Sequence, residues 1–309
     1  MDNFLLSVII PVYNEENNIK PLLDRLIPVV KKHNYEIIFV DDGATDKTAL
    51  LIKQQIKKNQ NIRLISFYRN FGHQMALSAG YEIARGDAVV SIDADLQDPP
   101  EVIDSMIKKW QRGASIVYAK RNERYGESYF KLKTASLFYK LINFLSDTPI
   151  PTEVGDFRLL DKKVVLYLNN LKEKPSFLRG LVAWPGFSTE YVYFKRNKRF
   201  SGETHYGFFK MVNFALDGIM SFSTKPLRLA TYFGFLSAGL GFLGIIYEIL
   251  KKIFYPESFV IGWIGIFIAV MFLGGIQLVT IGIIGEYIGK IYQEIQNRPK
   301  YLIKEKVNL

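Results

Sequence analysis

The segment VVSIDADLQDPPE, Val89 to Glu101, carries a run of apolar and small residues straight into Asp93, Asp95 and Asp98, and then into a double proline. A core strand that ends in that much negative charge calls for a ligand. Two carboxylates one residue apart share a face of an extended chain. With Gln97 they make a set of hard oxygen donors suited to Mg2+ or Mn2+, ions that complete their shells with substrate phosphate oxygens and water. A bare D-x-D also occurs in solvated loops. Here, though, it follows a buried run in a basic chain that presents Asp41-Asp42 after IIFV and Arg69 after LISFY.

Those groups need elements to hold them. Over the first ~110 residues, continuous apolar runs alternate with helix-spaced segments: LSVIIPVYN, YEIIFVDDG, IRLISFYRN, DAVVSIDAD and ASIVYAKR read as strands. Between them lie four helical segments. The first contains Pro21 and Pro28, the second has Thr45 or Asp46 as its cap, and the fourth opens on proline and closes on Gly113. This alternation predicts βαβ units and a mostly parallel sheet flanked by helices, with ligands at the carboxyl ends of the strands. All three charged tips lie at that edge. The segment after the sheet, from Lys120 to about Arg199, is basic and rich in aromatic residues.

Several classes are excluded. With no cysteine there is no disulfide framework, thiolate metal site or thiol nucleophile. No G-x-x-x-x-G-K-[ST] occurs, and no G-x-G-x-x-G lies within the strand-and-helix alternation of the first ~110 residues, so a bound diphosphate would be held by metal and side chains, which favours a nucleotide-sugar over ATP or NAD. The net charge of +10 suits phosphorylated or membrane-surface partners. No recognised module supports nucleic-acid binding.

Two uncharged runs change the class, one from Leu229 to Tyr247 and one from Ser258 to Gly285. Each reaches the roughly 20 residues a helix needs to cross a bilayer core, and their glycines suit close helix packing in lipid. The basic residues flank mainly the outer ends, which places both termini in the cytoplasm. MDNFLLSVIIPVYNEE has no basic leader, which likewise keeps the first domain cytoplasmic. The expected division is a catalytic domain over 1–207, interfacial amphipathic helices over 208–228, membrane helices over 229–250 and 258–285, and a cytoplasmic tail over 286–309.

SVIIPVYNEE, FVDDGATDKT, RNFGHQMALSAG, GDAVVSIDADLQDPPE, VGDFRLLDKKV and RFSGETHYGF together resemble the inverting family 2 glycosyltransferases of GT-A (Rossmann-like) fold. Within that family they resemble the polyprenyl-phosphate branch, and most of all the bactoprenol glucosyltransferases. The resemblance implies a nucleotide-sugar site at Pro11, Tyr13, Glu15, Asp42, Arg69 and Asp93, and a metal site at Asp93, Asp95 and Gln97. It implies Asp156, with Asp95, as the catalytic carboxylates, Asp156 acting as a base or as an orienting group. Lipid-phosphate contacts are implied at Arg121, Lys131, Lys133 and Ser136, and at Arg199 and His205 in a substrate-closing loop. Ala44 stands where the family usually has serine, and His205 where it often has lysine.

The implied reaction moves a hexose, glucose from UDP-glucose before N-acetylglucosamine, mannose, galactose or an aminopentose, onto polyprenyl phosphate at the cytoplasmic face of the cell membrane. The implied partners are the membrane, further copies of the chain (a tetramer being the candidate size) and a lipid-sugar flippase. A processive synthase ranks below this, because Q-x-x-R-W is absent and the uncharged runs are only two. A non-catalytic flippase partner is disfavoured by the four intact aspartates Asp42, Asp93, Asp95 and Asp156. His73, opening a helix after RNFG, reads as a packing or hydrogen-bonding residue before a substrate contact.

Overall fold

A computed structural model of the chain describes residues 4–121, 154–171, 173, 178–195, 220, 223–254 and 263–309. They divide into two compact units: one holds the described residues of the N-terminal domain together with 298–309, and the other holds the described residues between 220 and 297.

Among the described residues of the first unit, eight strands form one sheet: β1 Leu5–Val12, β2 Asn34–Asp41, β3 Ile62–Phe67, β4 Ala88–Ser91, β5 Ile116–Arg121, β6 Val154–Asp161, β7 Thr189–Phe194 and β8 Ile303–Val307. The order is β7-β5-β6-β4-β1-β2-β3-β8. β1, β2, β3 and β4 are mutually parallel, as is the β5–β7 pair, while β6 and β8 run antiparallel to their neighbours. The mostly parallel sheet with flanking helices is thus the expected architecture. From β1 the chain winds outward through β2 and β3 and then returns to place β4 on the other side. This reversal opens a crevice at the carboxyl ends of β1 and β4.

The helices are α1 Ile19–Val30, α2 Thr48–Lys58, α3 His73–Ile83, α4 Ile103–Gln111, α5 Lys162–Asn170 and α6 Leu178–Ala183. Both prolines lie within α1, which still buries Ile19, Leu22, Leu23, Leu26, Val29 and Val30 along one stripe. That stripe joins Leu6, Val8 and Ile10 of β1 and Phe39 of β2 in the main core. On the opposite face α3 lies close to β1: a Cβ on Gly80 would sit 2.3 Å from Ile9 Cγ2, so glycine there lets α3 approach the sheet. The cap of α2 is Lys47 and not the expected Thr45 or Asp46, although Asp46 Oδ1 accepts from Thr48 N (2.9 Å) at the start of the helix.

Two parts of this sheet lie beyond the βαβ pattern. The basic, aromatic stretch contributes β6 and β7, and β6 enters the sheet antiparallel against β4 with Ser91 opposite Arg158. The start of β6 therefore lies at the strand-tip edge. The segment expected as a tail continues as helix to Ile295 and then supplies β8, which pairs with β3.

The second unit contains α7 Lys225–Phe254 and α8 Trp263–Ile295. Both contain stretches long and apolar enough to cross a membrane, Lys225–Lys251 and Ala269–Ile295, with almost none of their surface buried. A pair of soluble core helices would hide those faces. Tyr287 donates its hydroxyl hydrogen to the Ser223 carbonyl (2.7 Å) within this unit. Most of the interfacial segment expected over 208–228 lies outside the described residues.

Candidate active site

The loops after β1, β2 and β3 are stitched together by short polar contacts. Glu15 N donates to Thr48 Oγ1 (2.8 Å), Thr45 N to Asn14 Oδ1 (2.8 Å) and Lys47 N to Glu16 Oε2 (3.0 Å). The Glu15 carboxylate also accepts from Asn18 Nδ2. Pro11 is buried in β1 opposite Val40, whereas Tyr13 stands exposed beyond the strand end. Asp42, buried, accepts from Phe71 N (2.6 Å) and Gly72 N (2.9 Å) through separate oxygens. Its carboxylate therefore pins the β3–α3 loop. Burial pushes its pKa up, against those two hydrogen bonds.

Gly43 explains the glycine of DDG. Its φ is +72°, and a Cβ there would lie 2.4 Å from the backbone carbon of Arg69. The two loops interlock through that missing side chain. Arg69 is exposed and lies over the Phe71 ring, with Cζ 4.0 Å from the centroid.

At the crevice the structure places Asp93 and Asp156 on either side of His73. His73 Nε2 lies 3.3 Å from Asp156 Oδ2 and 3.7 Å from Asp93 Oδ1. β4 ends at Ser91, so Asp93 and Asp95 sit beyond it in a turn that contains Leu96 at φ +61°, and not in the extended conformation assumed from the sequence. Asp95 Oδ1 accepts from Gln97 N (3.1 Å). Among the described residues no group of three or more His, Asp or Glu is gathered to hold an ion. Two carboxylates and an amide match a divalent ion that takes its other ligands from a diphosphate and water.

Asp156 is 6% exposed and crowded by cations. Arg179 approaches it with Nε 3.3 Å from Oδ1 and Nη2 3.0 Å from Oδ2, while Arg158 Nη2 is 3.5 Å from Oδ1 and Gln74 Nε2 3.4 Å from Oδ2. Burial alone would raise its pKa. The charge of Arg179, the His73 hydrogen bond and the charge of Arg158 outweigh burial and hold the carboxyl well below the ordinary range. For His73, burial opposes protonation, but Asp156 and Asp93 prevail and raise its pKa. Asp93 is raised, by desolvation first and then by the charges of Asp156 and Asp95, against His73.

A buried scaffold stands behind Asp156. Arg158 is wholly buried and donates through Nε to Tyr81 Oη (3.3 Å); Tyr81 donates to Ser91 Oγ (3.0 Å), and Ser91 donates to the Asp156 carbonyl (2.5 Å). Arg121 ends β5 beside the start of β6, with Nη2 3.6 Å from the buried Asp98. This pairing answers part of the aspartate puzzle: the third carboxylate faces an arginine. Lys131, Lys133, Ser136, Arg199 and His205 lie outside the described residues.

Sequence reasoning missed Arg179 and the part played by His73 and Gln74. Arg179 stands 23 positions from Asp156 in the sequence and reaches it from α6. The one signal was an arginine in an otherwise apolar stretch, LRGLVA.

The profile "Glycosyl transferase family 2" matches residues 7–167, and "GtrB C-terminal hairpin" matches residues 225–291. Among similar proteins, "Uncharacterized glycosyltransferase YkcC" of Bacillus subtilis is 45% identical, covering 97% of this chain and 93% of its own. The "Bactoprenol glucosyl transferase" of Shigella phage SfII is 42% identical over 97% of both chains. Of solved structures, glucosyl-3-phosphoglycerate synthase from Mycobacterium tuberculosis is 18% identical with a TM-score of 0.49, covering 71% of this chain and 78% of that one.

Proposed function

The chain belongs to glycosyl transferase family 2, and from that premise we propose that it transfers glucose from UDP-glucose to polyprenyl phosphate at the cytoplasmic face of the cell membrane. What carries the reading is the union, in one chain, of the Asp93–His73–Asp156–Arg179 cluster at the strand tips and an end-to-end likeness to proteins named bactoprenol glucosyl transferase.

In the reaction, an oxygen of the acceptor phosphate attacks the anomeric carbon, the bond from that carbon to the diphosphate oxygen breaks, and UDP departs from the opposite face. An α-linked donor thus gives a β-linked lipid phosphate sugar. A phosphate monoester has a second pKa of about 6, so most of the nucleophile is already a dianion near neutral pH and no proton need be removed. Asp156, locked as a carboxylate by Arg179, Arg158 and His73, fits an orienting and electrostatic role beside the developing positive charge of the sugar better than a basic one. Asp93, Asp95 and Gln97 would hold a Mg2+ or Mn2+ ion, which when bound supplies charge to the departing diphosphate. Arg69 serves the nucleotide, and Arg121 the acceptor phosphate.

The two apolar helices keep the enzyme at the membrane that holds its lipid acceptor. Both ends of that hairpin continue into the unit that carries the sheet, which supports a two-span topology with both termini on one side, the side we assign to the cytoplasm. Glycines of α7 and α8, including Gly234, Gly241, Gly274 and Gly282, have open space where a side chain would be; this supports close packing with further copies of the chain or with a flippase. The test is incubation of purified protein with nucleotide-sugars, polyprenyl phosphate and Mg2+ or Mn2+, with mass spectrometry of the lipid. Glucosyl polyprenyl phosphate is the expected product, and no transfer from any donor would overturn the reading.

A further inference from the structure

β8, at the edge of the sheet, is held by side-chain contacts as well as by its pairing with β3. Asn308 Nδ2 donates to the carbonyls of Gln60 (2.7 Å) and Ile62 (2.9 Å), Lys53 pairs with Glu305 (2.5 Å), and Tyr68 N donates to the Leu302 carbonyl (3.1 Å). Just before it, Tyr301 stacks on Phe67 with centroids 4.7 Å apart and planes 14° from parallel, while its hydroxyl donates to Glu82. Phe67 meets Phe71 edge-on at 5.8 Å and 88°, and Phe71 lies under the Arg69 guanidinium. The rings form a continuous series from the C-terminal segment to the arginine beyond the tip of β3.

Arg69 needs such support. It is exposed, and its guanidinium is otherwise met by the carbonyl of its own neighbour, Asn70, 2.9 Å from Nη1. A long cationic side chain without a platform samples many rotamers and must be ordered each time it meets an anion. The Phe71 ring removes part of that freedom. Phe71 N is in turn fixed by Asp42, and its ring by Phe67. Burial raises the Asp41 carboxyl above its ordinary range, and the charge of Lys304 of β8 is a minor influence in the opposite direction.

We propose that the C-terminal strand is a working part of the donor site: Tyr301, stacked on Phe67, is a positioning residue that holds Phe71 and through it the Arg69 guanidinium for the nucleotide diphosphate. The proposal deepens the glycosyltransferase reading and rests on it. Tyr301→Ala removes the stack, and Tyr301→Phe keeps it while losing only the hydrogen bond to Glu82.

The full-length protein in detergent, assayed with UDP-glucose and polyprenyl phosphate, provides the test. Tyr301→Ala should raise KM for UDP-glucose roughly tenfold, with kcat and KM for the lipid within about twofold of the parent. Tyr301→Phe should restore the donor KM. Phe71→Leu should reproduce the defect, and combining it with Tyr301→Ala should add little, because the two act in series. An unchanged donor KM in Tyr301→Ala, or losses that multiply in the double variant, would overturn the proposal. If Tyr301→Ala does not fold, Phe71→Leu with Tyr301→Phe decides it on the same donor KM. A parent protein that transfers no sugar defeats the parent reading instead, so the two failures are distinguishable.

Discussion

Arg179 grips Asp156 with a two-pronged contact, Nε to Oδ1 at 3.3 Å and Nη2 to Oδ2 at 3.0 Å, on a carboxylate that is almost wholly buried. Such a forked pair fixes the plane of the carboxylate as well as its charge. Arg179→Lys keeps a cation but loses the fork, so kcat should fall by about tenfold to a hundredfold. Arg179→Met should fall further, by about a hundredfold or more, because truncating one partner of a buried hydrogen-bonded charge pair costs about 2–5 kcal/mol. Steady-state kinetics beside thermal melting separate this loss from unfolding. Equal kcat for Lys and Met variants would show that the fork does not matter.

The same grip sets a pH expectation. The folded-state pKa of Asp156 lies below its unfolded value of about 3.9, so its ionised form stabilises the fold above that value and the contribution disappears as pH falls through the folded pKa. It stays charged throughout any working range. The acid limb of kcat/KM should therefore come from the acceptor phosphate, near pH 6, and remain there in Arg179→Lys. An acid limb that moves upward in that variant would identify Asp156 as the titrating base.

Much of this centre was legible in the sequence where charge follows an apolar run without a break, as at Asp41-Asp42 and Asp93. In a parallel sheet the end of each run is by construction the edge where ligands bind. Arg179, His73 and the antiparallel β6 were not legible, because their roles arise from a strand inserted against β4 and from contacts between residues far apart in the sequence. β8 was missed for another reason. Its alternation, with Ile303, Glu305 and Val307 partly buried and Lys304 and Lys306 exposed, is a two-residue period, but lysines and glutamate after an apolar helix read first as a solvated tail.

Asp95 lies in the turn beyond β4 with no core packing to lose. Asp95→Ala should leave the melting temperature within a few degrees, since substitutions away from packed features usually change stability by about 0.5 kcal/mol or less. It should nonetheless reduce transfer by about a thousandfold, as should a chelator added to the parent protein. Mg2+ or Mn2+ should restore the chelated parent and not the variant. Transfer by Asp95→Ala at near-parent rates would end the assignment of an ion to this turn.

Gly43 carries a different kind of constraint. Its positive φ and the 2.4 Å that would separate a Cβ from the Arg69 backbone act together. Gly43→Ala has to move the β3–α3 loop that Asp42 pins. The left-handed conformation alone costs a non-glycine residue about 1 kcal/mol or more, and the clash adds to it. The expected outcome is a lower melting temperature together with weaker UDP-glucose binding, measured by calorimetry. Undiminished binding would mean that the two loops can separate without consequence.

The pairing of β8 with β3 bears on topology. Ile303–Val307 and Ile62–Phe67 belong to one sheet, so the chain after the second apolar helix must lie on the same side of a membrane as the N-terminal domain. Two crossings satisfy that requirement. The absence of native cysteine allows a clean test, because a single introduced thiol has no background. Ser258→Cys, in the sequence between the helices, should react with a membrane-impermeant maleimide in intact cells. Asn308→Cys should react only after permeabilisation. Labelling of Asn308→Cys in intact cells, with Ser258→Cys protected, would place the sheet on the outer face and remove the proposed access to cytoplasmic UDP-glucose.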